Sequence, residues 1–240
     1  DAKDDGGPLQ QPLAGRHALI TGGNRGIGAA IAEHLADLGA NITLAARDEK
    51  ALEGQRQKLS ARGDIAVSAQ TMDLRDPASI ADGVAAARDS HGPIAVLVNN
   101  AGIAPAAPLA KLDLKTWQET FDINFQAAFL LCQAVQSDMQ DLGYGRIINV
   151  ASTAGLRGYP FVAAYVASKH AVIGLTRALA LELAKGPITV NAVCPGYTET
   201  EIAHNAIRNI QQSGKTEAEA RAILTRGNPQ GRLIHPEEVA

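Results

Sequence analysis

The run Ala18-Leu19-Ile20-Thr21-Gly22-Gly23-Asn24-Arg25-Gly26-Ile27-Gly28 decides how this chain folds. It begins as a short apolar segment, passes through a glycine-rich turn and opens the amphipathic stretch Ala29-Ala30-Ile31-Ala32-Glu33-His34-Leu35-Ala36-Asp37-Leu38. Strand, glycine turn and helix start, in that order, form the context a dinucleotide-binding turn needs. The glycines permit left-handed backbone and let the main chain approach a pyrophosphate closely. The first helical turn offers it free N–H groups. Without the flanking strand and helix these residues would read as a surface turn; with them, the reading is cofactor binding.

Outward from that turn the chain keeps alternating. Apolar runs at 16–21, 41–45, 65–70, 94–98, 145–150 and 188–193 predict strands, and the segments near 26–38, 48–61, 77–91, 113–141 and 163–185 predict helices. Such βα alternation implies an α/β fold, a doubly wound parallel sheet with helices on both faces and right-handed crossovers. Gly39, Gly63 and Gly186 stand where helix C-caps are expected, and Asp76 before Pro77 marks a helix start. Residues 1–13 read as a flexible leader and 14–240 as a single catalytic domain. Two stretches depart from the alternation. A long, mostly polar helical segment at about 198–232 follows the last strand and reads as a lid over a substrate. Pro236-Glu237-Glu238-Val239-Ala240 reads as the first turn of another helix; a last helix and strand beyond it, implied only by resemblance to a known family of this fold, are absent from the sequence.

Composition removes several classes of function. The 240 residues are 46% hydrophobic and 20% charged, as expected of one globular domain with a sizeable core. A formal charge of −3 supplies no basic field for nucleic acid or an anionic membrane. No apolar run approaches the roughly 20 residues of a membrane-spanning helix, and the first residues lack a signal peptide's apolar core. Two cysteines, Cys132 and Cys194, suggest no disulfide framework and agree with a reducing cytoplasm.

Chemistry gathers further along. Tyr165 and Lys169 lie four apart in a helical stretch and emerge on one face. A nearby ammonium favours a phenolate, so Lys169 is expected to lower the Tyr165 pKa from its ordinary value of about 10 and fit it for proton transfer. Ser152 follows Arg146-Ile147-Ile148-Asn149-Val150, at the carboxyl end of a strand, where open α/β sheets place ligands. Alone, the Tyr–Lys pair is a common feature of solvated helices; its weight comes from the glycine turn upstream.

Together these motifs resemble the short-chain dehydrogenase/reductase family, in its single-domain form with an extended, three-layer Rossmann fold. Thr21 to Gly28 looks like the family's TGxxxGxG turn, which implies that Gly22, Asn24, Arg25, Gly26, Ile27 and Gly28 face a dinucleotide. Asp73, followed by Leu74, matches the acidic position set against the adenine ring, and Asn99-Asn100-Ala101-Gly102 matches the segment after the fourth strand. Asn124, Ser152, Tyr165 and Lys169 fall where the catalytic tetrad falls, with thirteen positions from serine to tyrosine. Pro195-Gly196, followed by Thr198, resembles the segment that closes over the nicotinamide. The resemblance implies hydride transfer between nicotinamide and a carbonyl or secondary alcohol carbon. Tyr165 would be the proton donor, and Ser152 would steady the developing oxyanion. Lys169 would bind the ribose, and Asn124 would hold a water of the proton relay. It assigns no metal ligand.

Choice of cofactor turns on the end of the second strand. The position of the family's NAD-type acid is Ala46, followed by Arg47, and Arg25 lies within the glycine turn. Two guanidiniums and no carboxylate favour NADP(H) over NAD(H), since arginine pairs with a 2′-phosphate that an acid repels. Small and apolar residues, Ala154, Gly155, Leu156, Tyr159, Phe161 and Ile202, surround the expected pocket, and the overall run resembles 3-oxoacyl-thioester reductases. Arg157, Arg208 and Arg232 could meet a CoA phosphate. Alternatives are an NAD-dependent alcohol or hydroxyacyl dehydrogenase of the same family, and a dinucleotide sensor without turnover. Apolar residues on more than one face of the 113–141 and 163–185 helices, with the family's habit of pairing them, imply a homodimer or homotetramer.

Overall fold

The computed structural model describes residues 11–240. Six strands, β1 (His17–Thr21), β2 (Asn41–Ala46), β3 (Val67–Thr71), β4 (Ile94–Asn99), β5 (Gly145–Val150) and β6 (Ile188–Val193), form one sheet in the order β3-β2-β1-β4-β5-β6. Every pairing in it is parallel. The order in which strands are added reverses between β1 and β4, so the connections leave these parallel neighbours toward opposite sides and open a crevice at their carboxyl ends.

Side-chain alternation builds the layers. Ala18, Ile20, Val96 and Val98 point toward α1 (Gly26–Asp37) and α2 (Glu49–Ser60), where Ala32, Ala36, Leu52 and Leu59 meet them. Leu19, Leu97 and Ile147 point the other way, against α3 (Pro77–His91), α5 (Ala127–Asp141) and α6 (Ala163–Glu182). The period of two along each strand thus divides the core into two sheets of contacts, which makes the three-layer Rossmann architecture. β6 is covered on one face only: Ile188 and Val190 are buried, whereas Thr189, Asn191 and Val193 are exposed.

Several expectations need adjustment. β3 starts at Val67, because Ala66 uses its N–H on the Asn41 side chain rather than on a strand neighbour. The helix expected over 113–141 is divided into α4 (Leu114–Phe121) and α5 by a five-residue π turn, Asp122–Gln126. Of the three glycines expected to end helices, Gly39 takes the left-handed conformation, φ near +89°, while Gly63 and Gly186 do not. Residues 1–10 of the expected leader lie outside the described residues. Leu13, at its end, donates its N–H to Leu38 O at 3.0 Å and packs into the α1 layer. The segment after β6 forms α7 (Glu201–Gln211) and α8 (Glu217–Thr225), which share a small core of Ala203, Ile207, Ala220, Leu224 and Leu233.

Candidate active site

The glycine turn is tight for stated reasons. Gly22 has φ near +64°, and a Cβ on Gly28 would collide with the Gly22 carbonyl oxygen. Asn100 locks this turn to β4: its Nδ2 donates to Thr21 O at 2.9 Å and to Gly22 O at 3.3 Å, while its own N–H and that of Ala101 reach Thr21 Oγ1. Asn100 and Ala101 thus act here as braces of the turn. Asn24, Gly26 and Ile27 are half-buried around it. Helices α2, α3 and α4 each begin on an aspartate, Asp48, Asp76 or Asp113, whose carboxylate accepts a first-turn N–H. By contrast α1 begins at Arg25 with no side-chain cap and no acid in its first turn. Its N–H groups face the crevice free to meet an anion.

Charges cluster at the far end of β2 and β3. Arg25 and Arg47 are exposed, and among the described residues neither forms an ion pair. Asp73 is gripped by Arg75, with Nη2 to Oδ2 at 2.5 Å and Nε to Oδ1 at 2.9 Å, and Arg75 also reaches Glu119 at 3.3 Å. The Arg75 guanidinium brings the Asp73 carboxyl down to about 2, and Arg47 contributes in the same direction. Arg75 was not singled out in the sequence; a basic residue two positions past an expected adenine-facing acid is the signal that could have found it. Leu74 turns inward and packs on the α3–α5 layer.

The carboxyl ends of β4 and β5 and the start of α6 bring the candidate catalytic residues together. Ser152 caps a short 3₁₀ turn by accepting the Ala154 N–H at 3.0 Å, which leaves its own proton to donate. Tyr165 projects from the first turn of α6 and Lys169 from the next; Lys169 Nζ lies 5.8 Å from the Tyr165 ring centre. The buried Lys169 donates to Val150 O at 2.8 Å, and burial depresses it to about 8. Contrary to the sequence expectation, the Tyr165 phenol is pushed up: burial outweighs the effect of Ser152, and Tyr159 and Tyr197 act in the same upward direction. The lysine's nitrogen turns to the β5 carbonyl, and burial keeps Tyr165 protonated at neutral pH.

Asn124 sits in the π turn, nearly inaccessible. Its Oδ1 accepts from Ile103 N at 2.8 Å, and its Nδ2 donates to Ile103 O at 2.9 Å and Ser168 Oγ at 3.0 Å. Its side chain therefore satisfies the backbone that follows Gly102. A Cβ on Gly102 would stand 3.1 Å from Asn124 Oδ1 and 3.6 Å from Lys169 Nζ, so that glycine keeps open the space between them.

Beyond β6, Pro195 accepts Thr153 N–H at 2.9 Å, and Thr198 is buried and bridges in parallel to Ile234. Asn228, another residue not singled out in the sequence, accepts from Tyr197 N and donates to Tyr197 O and Arg232 O, with its amide against Gly196. A Cβ on Gly26 would lie 3.3 Å from Thr200 Cγ2, so the root of the α7–α8 segment overhangs the glycine turn. Of the expected pocket residues, Leu156 and Phe161 are exposed and Ile202 borders on it, but Ala154 and Gly155 are buried, and Gly155 presses on the main chain of Lys169. Arg208 and Arg232 are paired with Glu201 and Glu238.

An uncapped helix start beside a glycine turn, with serine, tyrosine and lysine grouped at the neighbouring strand ends, defines a dinucleotide-dependent oxidoreductase of the Rossmann type. Residues 16–211 match the short chain dehydrogenase family, and the chain belongs to it. It is 44% identical, over 94% of its length and 87% of the relative's, to the provisionally named ketoacyl reductase of the monensin polyketide synthase of Streptomyces virginiae. Acetoacetyl-CoA reductase of Rhizobium meliloti is 37% identical over 94% of this chain and 88% of that one. Among solved structures, a single-substitution variant of the actinorhodin polyketide ketoreductase, with NADPH, superposes with a TM-score of 0.88 at 38% identity, covering 93% of this chain and 87% of that one.

Proposed function

We propose that this enzyme uses NADP(H) to interconvert a ketone and a secondary alcohol, with a 3-oxoacyl thioester as its substrate. The observation that carries the reading is the grouping of Ser152, Tyr165 and Lys169 at the crevice above the glycine turn. The residues fit a dinucleotide. The contact between Gly22 and Gly28 leaves a cradle with no side chain, the α1 N–H groups suit a pyrophosphate, and Arg25 and Arg47 suit a 2′-phosphate. When bound, the nicotinamide supplies the hydride chemistry. The chain aligns the substrate and manages the proton. Ser152 donates a hydrogen bond to the carbonyl oxygen, where charge develops in the transition state. Tyr165, held protonated by burial, gives its proton to the same oxygen. Lys169 and Asn124 flank Gly102 on the route by which that proton is replaced.

Relatives named for ketoacyl and acetoacetyl-CoA reduction support the thioester, as do the exposed apolar side chains of Leu156 and Phe161 in the segment between Ser152 and Tyr165. NADPH oxidation by the purified protein, measured side by side with S-acetoacetyl-N-acetylcysteamine, cyclohexanone and a quinone, tests it. The thioester should turn over fastest, and no turnover of any of the three would refute the reading.

The same reading makes the enzyme a cytoplasmic homodimer, or a tetramer built from two. Trp117, Phe121, Phe125 and Phe129 recur every fourth residue across α4, the π turn and α5, with Trp117 stacked on Phe121 at 5.0 Å and Phe129 exposed. An aromatic stripe of this kind needs a partner surface. Light scattering should give at least a dimer at micromolar concentration; a monomer refutes the pairing. Among the described residues no helix is long and apolar enough to cross a membrane.

A further inference from the structure

The loop that follows Ser152, apolar in the sequence reading, carries a well-defined polar group. Tyr159 Oη lies 2.9 Å from Arg157 Nε and 2.9 Å from Thr153 Oγ1, and its ring meets Tyr197 edge-on at 6.0 Å. Arg157 also lies over the Tyr159 ring, at 5.1 Å, and its Nη2 reaches Gly227 O at 3.5 Å, so the guanidinium spans from the 153–159 loop to the α7–α8 segment. A guanidinium only donates, so it occupies one lone pair of the phenol oxygen. Tyr159 and Thr153 then share a single hydrogen bond with two protons between them. Whichever of the two donates, one O–H is left over, on Tyr159 or on Thr153. That spare donor lies on or beside the residue that follows Ser152 in the chain.

We propose that the Tyr159–Thr153 hydroxyl pair, with Arg157 as its positioning residue, binds a second oxygen of the substrate, the thioester carbonyl two carbons from the ketone. This rests on the ketoreductase reading above. A 3-oxoacyl thioester presents two carbonyl oxygens; Ser152 and Tyr165 take the one to be reduced, and the spare hydroxyl takes the other. A simple ketone has nothing to offer it. The pair therefore sets specificity for 1,3-dicarbonyl compounds.

The test compares kcat and KM for S-acetoacetyl-N-acetylcysteamine and for 2-octanone in the unmutated enzyme and in Tyr159→Phe, with NADPH saturating. The ratio of kcat/KM for the thioester to that for the ketone should fall about tenfold in the variant, the size of one lost hydrogen bond, and the fall should lie in KM. Arg157→Met should lower the same ratio by a smaller factor, and it decides the question if Tyr159→Phe does not fold. Thr153→Val covers the case in which the spare proton is on Thr153, and a ratio unchanged in Tyr159→Phe, Thr153→Val and Arg157→Met alike, or a loss confined to kcat, overturns the proposal. So does an unmutated enzyme that reduces 2-octanone as efficiently as the thioester, although the ketoreductase reading then stands. Failure to reduce either compound would instead refute that reading.

Discussion

At the amino end of the sheet His17 bonds through Nδ1 to Gly92 O and through Nε2 to Thr43 Oγ1, each at 2.8 Å, and Thr43 passes the chain on to Ser68 at 2.8 Å. Close by, Tyr144 lies between the guanidiniums of Arg16 and Arg146, 3.5 and 4.2 Å from its ring centre. At the carboxyl end of the same strands, Ser152 has a proton left to give and the first N–H groups of α1 have no side-chain cap. Both ends carry buried or half-buried polar residues, but one set is closed on itself and the other is open toward a crevice. An exception at the closed end is His91 Nε2, buried without a partner among the described residues, on a ring that meets His17 at 5.3 Å. Closed sets stabilise the fold; open sets are where chemistry is to be sought.

The contrast breaks most visibly at Tyr165. Tyr165→Phe should lower turnover about 10²–10⁴-fold, the ordinary loss for an acid–base catalyst, with NADPH binding kept. Near-normal activity in the purified variant would place the open chemistry elsewhere.

The amino end should answer to pH instead. Burial depresses His17 from 6.5 to about 4, so between those values the unfolded chain binds more protons than the folded one. Stability from this histidine is complete above about pH 6.5 and is lost as pH falls toward about 4. At about 1.4 kcal/mol for each unit, the whole effect is about 3 kcal/mol. Urea unfolding of the unmutated chain and of His17→Gln at neutral pH and near pH 4.5 should show a smaller pH difference in the variant. Equal differences would mean that the His17 chain is not closed as described.

The smallest effect sharpens the open end. Arg47→Asp should weaken NADPH binding by about 1.5–3 kcal/mol, or roughly ten- to hundredfold, and leave NADH binding much less changed. Fluorescence titration of both cofactors reads this; equal affinities for the two in the unmutated protein would remove the reason to assign Arg47 to a phosphate.

The sheet, its flanking helices, the glycine turn and the Ser152–Tyr165–Lys169 group were legible in the sequence because each is fixed by spacing along the chain: period two, period 3.6, or i to i+4. What escaped depends on partners from other elements. Asn228 means nothing until Tyr197 lies beside it, and Arg75 until it closes on Asp73. The rise in the Tyr165 pKa ran against expectation for the same reason. An i, i+4 lysine is visible in sequence, whereas burial and the turn of its nitrogen toward Val150 O are not. The hydroxyl of Tyr159 was read as part of an apolar wall because Arg157 and Thr153 meet it only after the loop has closed.

The α7–α8 segment returns to the place it left. Thr198 bridges to Ile234, Glu199 N–H reaches Ile234 O at 2.8 Å, and Asn228 fastens Tyr197 between them. With its two ends tied side by side, the stretch between behaves as a closed loop, and even a doubling of its length costs only about 0.6 kcal/mol in closure entropy. Helices there can be lengthened, shortened or exchanged with little disturbance to the end of β5 and the start of α6, which hold Ser152 and Tyr165. If the segment covers the substrate, as the lid reading of the sequence has it, a different acyl chain would be accommodated by exchanging this cassette alone, with the residues below it kept.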